Sequence, residues 1–413
     1  MKKKIQSWGN TSIKEIDLLE FIEEEKKVLT FGNNNSYGDS SIPLDCYGYS
    51  NPSNKIVKGF EPSRKTISDY LQLNKKMLFG IPGKNNVTLG GAAASDVHGK
   101  DGLWGGSFIK NIKRIQLELP NSEIIFCSRE ENPEIFFTTV GGFGLTGSIL
   151  NIELFENNIP YTNTYKSELV KGKGFKNLFS NFPVSEYVYS VGWVNLLSKD
   201  MNWIIHSDTP TENIENNFNS LGPTDNSKLY FPFVGLNIIK IINFIYYATS
   251  KNSKNKSKNL QKVLYPISFL NDTKNLAKKR KIVQIQFSIK DAKINELDEL
   301  IELLIEGQKP LLCSVKRTQE NETKLNFSFV QRGWTIAIDF PFESFSNKNL
   351  RNFYKKLIEV EGKIYLAKDS TMIESEFKEM YENYSKWQAI VKKIDPKNKF
   401  QSEMSHRLGI KNW

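Results

Sequence analysis

The 413-residue chain has little of what several kinds of chemistry require. Its three cysteines, Cys46, Cys127 and Cys313, stand far apart with no CxxC pair. That excludes a disulfide framework or a thiolate zinc site and fits a reducing compartment. Its three histidines, His98, His206 and His406, never fall at ligand spacing, so no metal centre is expected and any redox chemistry must come from an organic cofactor. Long hydrophobic runs are also missing. The most apolar stretch, Leu236 to Ala248, is broken by Lys240 and Asn243 and falls short of the ~20 residues that span a bilayer. After Lys2, Lys3 and Lys4 come Gln6, Ser7, Gly9 and Asn10 instead of the apolar core of a secretion signal. A cytoplasmic protein that does not cross the membrane is expected.

The length is enough for two or three domains. Lys and Arg number 56 against 46 Asp and Glu, a net charge of +10, which leaves anionic partners open: phosphates, lipid headgroups or nucleic acid. Up to Phe155 short apolar segments alternate with clusters of glycine and small residues, a pattern that brings backbone close to something flat. Within it, Gly142, Gly144 and Gly147 spell GxGxxG. A dinucleotide-binding motif of that form follows a strand and opens a helix, whereas here the pattern predicts a short helix, Pro133 to Thr139, before it and a strand, Ser148 to Phe155, after it.

Farther along, alternation predicts strands at Ile282 to Ser288, Leu311 to Lys316, Leu325 to Val330 and Trp334 to Phe340, and hence a mostly antiparallel sheet. Gln284 and Gln286 fall on one face of the first. Apolar spacing predicts one helix over Ala292 to Glu306 and a helical C-terminal stretch from Glu374 to Ile394, stopped by Asp395-Pro396. The run Lys251 to Lys262 is too polar and too lysine-rich to pack, and reads as a solvated loop. It directly follows Ile238, Ile239, Ile241, Ile242, Phe244, Ile245, Tyr246 and Tyr247. Apolar-aromatic residues beside a lysine cluster suit an anionic membrane surface, and no nucleic-acid module accompanies them.

Taken together, Asn35-Ser36-Tyr37-Gly38-Asp39, Ile81-Pro82-Gly83, Val87 to Ala92, Asp96 to Lys100, Gly106-Ser107-Phe108 and Thr139 to Gly147 resemble the FAD-binding half of the vanillyl-alcohol oxidase type flavoproteins. The likeness resumes at Gly333-Trp334, Asp339-Phe340-Pro341, Tyr365 to Ser370 and Asp395-Pro396. It is strongest to the branch that oxidises prenylphosphoryl-linked ribose. The resemblance implies an α+β, two-domain fold: an FAD-binding domain from 1–155, a substrate-binding domain with an antiparallel sheet from 156–362, and a C-terminal segment, 363–413, returning to the first domain. It implies oxidation of a secondary sugar hydroxyl, C2 of a prenyl-phosphate-linked pentofuranose. That would be half of an epimerisation for cell-envelope polysaccharide synthesis, completed by a separate NAD(P)H-dependent keto-sugar reductase. Such an enzyme would sit peripherally at the inner face of the cell membrane. The alternatives are an aldonolactone or free-polyol oxidase of the same superfamily and a basic protein that binds surfaces or nucleic acid without flavin.

Residue by residue, the resemblance assigns Lys368 and His98 to catalysis. The FAD site would be built from Gly32, Asn33, Asn34, Asn35, Ser36, Tyr37, Gly38, Pro82, Gly83, Thr88, Gly90, Gly91, Ala92, Ser95, His98, Gly99, Ser107, Gly142, Gly144, Gly147 and Tyr365. Gln284, Gln286, Lys316, Lys368 and Tyr265 would line the substrate pocket. A pyrophosphate needs converging backbone N–H groups with no Cβ in the way, which the loop from Gly32 and the helix start at Gly90 can supply. Relatives with covalent flavin carry a histidine where Asn35 stands, so FAD is expected to be noncovalent.

Overall fold

A computed structural model describes residues 2–20, 22–23, 25–49, 57–183, 186–211, 236–265, 281–320, 322, 324–342 and 347–413; of the side chains of 236–239, 347 and 348 nothing is described. The described residues mix helices with three sheets. The first sheet joins β1 (Lys2–Gln6), β2 (Ile13–Leu19), β3 (Leu29–Thr30) and β4 (Tyr47–Tyr49). The second has the order β5-β8-β6-β7, with β5 (Glu61–Pro62), β6 (Ile112–Glu118), β7 (Ile124–Ser128) and β8 (Ser148–Leu154). Against it pack α1 (Ile67–Asn74), α2 (Leu89–Ala94) and α3 (Pro133–Thr139), whose Leu71, Leu89, Ala92, Ala93 and Phe136 share a core with Ile115, Leu117 and Ile152. Thr88 caps α2, its Oγ1 accepting from Gly91 N at 3.1 Å.

The third sheet has eight antiparallel strands in the order β12-β9-β11-β10-β14-β15-β13-β16. They are β9 (Tyr165–Lys173), β10 (Tyr189–Asn195), β11 (Asn202–Pro210), β12 (Ser253–Lys258), β13 (Ile282–Lys290), β14 (Leu312–Thr318), β15 (Gly333–Pro341) and β16 (Lys363–Ile364). Period-2 alternation sends Val283, Ile285, Phe287, Val315, Ile336, Ile338 and Phe340 to one face, where they meet Leu297, Leu300, Ile301 and Leu304 and, from the helix Asn347–Glu359, Leu350, Phe353 and Leu357. On the other face, β13, β14 and β15 present Gln284, Gln286, Ser288, Lys316, Thr335 and Asp339, and Trp193 and Ile204 continue it toward β11. The C-terminal segment returns to the N-terminal part of the chain: Trp387 Nε1 donates to Thr138 O at 3.0 Å, Val28 pairs with Phe400, and buried Lys411 is held by Asp395 and Leu145 O.

Several expectations need correction. Leu325 to Val330 is not a strand, because its buried side chains go to different partners: Leu325 to the core under the second sheet, Phe327 against Trp387, Phe329 against His98. Residues 292–306 form a 3-10 turn, Asp291–Glu296, and then a helix, Leu297–Ile305. The C-terminal stretch breaks into Glu374–Met380 and Tyr384–Ile394. The lysine-rich run is not a plain loop. Its first half is β12, paired along the edge of the large sheet with β9, and α6 (Leu260–Leu264) follows. Charged side chains are what an exposed sheet edge tolerates.

Candidate active site

The polar face of the large sheet is built by register. Gln284 lies opposite Asp339, Gln286 opposite Ala337 and Ser288 opposite Thr335, and Lys316 lies opposite Thr335 from the other side. Onto this face the turn after β16 brings Tyr365 and Lys368, and the segment after α2 brings His98. Tyr365 N donates to Gln286 O at 2.8 Å and its hydroxyl to Ser95 O at 2.9 Å. The buried His98 ring lies 4.8 Å from that of Tyr365 and 5.0 Å from that of Phe329, and its Nε2 accepts from Gln286 Nε2 at 2.6 Å. Lys368 Nζ sits 3.9 Å above the centre of the Tyr37 ring. Gln284 Nε2 donates to Asp339 Oδ1 at 2.6 Å.

Burial dominates the electrostatics. It pushes Lys368 down and Asp339 up, each partly offset by the other's charge. Lys316 is lowered to about 8 by burial, against the pull of Asp101, which burial raises to about 6. Lys100, whose Nζ donates to the carbonyls of Val263 and Leu264, is lowered to about 7 by burial and then by Lys316. His98 is held well below its ordinary value by burial, then by Lys316 and Lys368, so the ring is neutral. Among the described residues, His98 Nδ1, Asp101 Oδ1 and Thr335 Oγ1 are buried with no hydrogen-bond partner.

Next to this cluster, the loop from Gly32 to Asp39 runs over the N-terminus of α2. A Cβ on Gly32 would meet Thr88 Oγ1 at 2.5 Å, and one on Gly38 would meet Asp369 O at 1.7 Å, so both close approaches need glycine. Asn34 takes the left-handed φ of +50°. Asn33 and Asn35 both donate to Asn86 O, at 2.7 and 3.2 Å, while Oδ1 of Asn34 and of Asn35 is buried without a partner. Arg407 fastens the loop to the Lys368 turn, donating to both carboxylate oxygens of Asp39 at 2.8 Å and to Asp369 Oδ2 at 2.9 Å. Close-packed glycine backbone fits the elongated, phosphate-bearing part of FAD, and the unpaired Asn34 and Asn35 oxygens are acceptors suited to its hydroxyls.

The structure thus brings His98, Gln284, Gln286, Lys316, Tyr365 and Lys368 into one buried polar cluster on this sheet face, with Tyr37 at its border. Lys368 stands in a turn, its N–H donating to Tyr365 O at 2.9 Å. Tyr265 is buried with its hydroxyl 3.1 Å from Ser68 Oγ of α1. In the GxGxxG stretch, Gly141 N and Phe143 N donate to Ala93 and Ala94 carbonyls at the end of α2, while a Cβ on Gly147 would meet Glu118 O at 2.3 Å. Gly99 passes close to Ile81, and Ser107 Oγ donates to Asp96. Gly83, beside Pro82, has open space where its Cβ would be. Reading the sequence missed Asp339, Asp101, Lys100 and Phe329. Asp339 had a signal, since it alternates in phase with Thr335 and faces Gln284.

Residues 334–408 match the D-arabinono-1,4-lactone oxidase family. With the extended similarity that follows, this match makes the chain an FAD-dependent oxidoreductase acting on a hydroxyl group. It is similar to the decaprenylphosphoryl-β-D-ribose oxidase of Mycolicibacterium smegmatis, 24% identical over 349 residues, which cover 80% of this chain and 75% of that one. A shorter stretch of 97 residues is 26% identical to cytokinin dehydrogenase 2 of Arabidopsis thaliana, covering 24% of this chain and 18% of that protein. No described helix is long and apolar enough to cross a membrane.

Proposed function

We infer that the chain binds FAD noncovalently and oxidises the C2 hydroxyl of a prenyl-phosphate-linked, ribose-like pentofuranose to the 2-keto sugar. This is half of an epimerisation in cell-envelope polysaccharide synthesis, with a separate NAD(P)H-dependent reductase completing it. The observation that carries the reading is the buried polar cluster of His98, Gln286, Lys316 and Lys368 beside the glycine loop from Gly32, in a chain resembling an oxidase of such a sugar along most of its length. Asn35 offers no covalent attachment. On this reading, residues 1–155 and 363–413 hold the cofactor and 156–362 the substrate, at the inner face of the cell membrane.

When bound, FAD supplies the acceptor for the hydride that leaves the carbinol carbon. The remaining tasks fall to the chain. Lys368, whose charged form Asp339 favours against burial, places a cation where negative charge develops during the reaction. Gln284 and Gln286 offer donors and acceptors to sugar hydroxyls. Gln286 also sets the tautomer of His98. With its amide nitrogen donating to Nε2, the ring proton sits on Nδ1 and donates to a substrate oxygen; with the amide reversed, Nδ1 accepts the hydroxyl proton. Lys316 faces an anionic substituent.

A second reading, an aldonolactone or free-polyol oxidase, is favoured by the family matched at residues 334–408. Incubation without oxygen separates the two. Bleaching of the flavin by a prenyl-phosphate ribose and not by aldonolactones supports the first; bleaching by the lactone alone overturns it.

A further inference from the structure

Over its described side chains, 240–249, the helix α5 (Leu236–Thr249) is inside out. Its polar Asn243 is buried in the crevice lined by Val194, Leu197 and Leu312, while Phe244, Ile241, Ile245 and Ile242 are 69, 55, 52 and 50% exposed. The helix is anchored on the polar face of the large sheet. Tyr246 packs edge-on against Trp193 at 5.0 Å and its hydroxyl meets His206 Nε2 at 2.7 Å, while Lys171 Nζ donates to Tyr247 O at 3.1 Å. Water does not select such an orientation, because the aliphatic side chains gain nothing from it. The neighbouring surface is cationic: Lys240 precedes the patch, and Lys251, Lys254 and Lys256 stand exposed just beyond it on the turn and the edge strand β12. Lys258 is the exception. It turns inward to Asp208 at 3.1 Å and so belongs to the sheet.

We propose that the outer face of α5 and the lysines around β12 form a docking surface for an anionic lipid bilayer, the aliphatic and aromatic side chains entering the interface while the lysines meet the headgroups. The combination selects this occupant. A second copy of the chain would bring its own lysines against these, whereas an anionic leaflet complements both the charge and the apolar stripe. Docking here would put the polar sheet face, and the buried cluster farther along it, beside the membrane. The inference deepens the lipid-linked reading of the substrate and takes its purpose from it, yet vesicle binding is measured without substrate, so either can fail alone.

The test is co-sedimentation of the flavin-loaded protein with phosphatidylcholine vesicles containing or lacking phosphatidylglycerol. Binding is expected only to the anionic vesicles. The triple variant Lys251→Gln, Lys254→Gln, Lys256→Gln should bind on the order of a hundredfold more weakly, and Phe244→Ser with Ile245→Ser should also lose binding, both with flavin content unchanged. Binding that is equal for all three proteins overturns the proposal. So does a dimer that Phe244→Ser with Ile245→Ser dissociates in the absence of any vesicle binding, which would make the patch an interface between copies. Should the double variant not fold, the lysine variant decides.

Discussion

Replacing Asp339 by asparagine removes one charge from the buried pair with Lys368 and little else, since the amide oxygen still accepts from Gln284 Nε2. The carboxylate is the main group holding Lys368 up against burial, while Lys316 pushes it down. Loss of one close opposite charge moves a titration by roughly 1–3 pH units. For a lysine the move is toward acid, so its cation is lost at lower pH. Each pH unit is about tenfold in the charged fraction above the midpoint, or ~1.4 kcal/mol. The rate of anaerobic flavin reduction by the sugar substrate, measured as a function of pH, should keep its acid plateau, and its alkaline limb should move acidward by at least about one unit. Flavin content should not change, because Asp339 lies on the sheet and not in the glycine loop. An unmoved alkaline limb in a flavin-loaded variant would refute the assignment of a cationic Lys368 supported by Asp339. A uniform fall at every pH would refute it too, by making Asp339 a substrate contact.

The protein should purify yellow and release its FAD on acid or heat denaturation; flavin remaining on the denatured chain would contradict the noncovalent assignment at Asn35. Lys368→Ala should keep FAD and lose about 10²–10³ in reduction rate, ~2.7–4 kcal/mol of barrier, and near-normal stopped-flow reduction would remove Lys368 from its role. Lys411→Met strands the buried Asp395 carboxylate and should cost about 3–5 kcal/mol in urea unfolding. A loss under ~1 kcal/mol would show that this pair does not fasten the C-terminal segment.

What was legible in the sequence followed from local periodicity. Gln284 and Gln286 share a face because strand side chains alternate, and the short helix and strand around GxGxxG follow from the placement of Pro133 and of the apolar run after Gly147. Alternation alone failed at Leu325 to Val330, where Leu325, Phe327 and Phe329 imitate a strand while each packs against a different partner. It failed again at Lys251 to Lys258, where pairing with β9 supplies the order that composition argues against. Lys368 could be found only by resemblance. Nothing local says that a turn after β16 will carry it over Tyr37, a residue 331 positions earlier in the chain.

Asp101 and Lys100 were invisible for the opposite reason: they look like ordinary surface charges in a glycine-rich loop. Their burial is costly. A buried polar atom without a partner loses ~1–3 kcal/mol relative to one that is satisfied, and His98 Nδ1, Asp101 Oδ1 and Thr335 Oγ1 all carry that cost on or beside the face where burial also holds Lys100, Lys316 and Lys368 below their ordinary range. Apolar residues of similar size would make a more stable sheet there. A ligand that is anionic at one end and rich in hydroxyls along its body would satisfy the unpaired atoms and favour the charged forms of the lysines in one event. The strain of this face is therefore relieved on binding, and affinity should be greatest for substrates that carry both features.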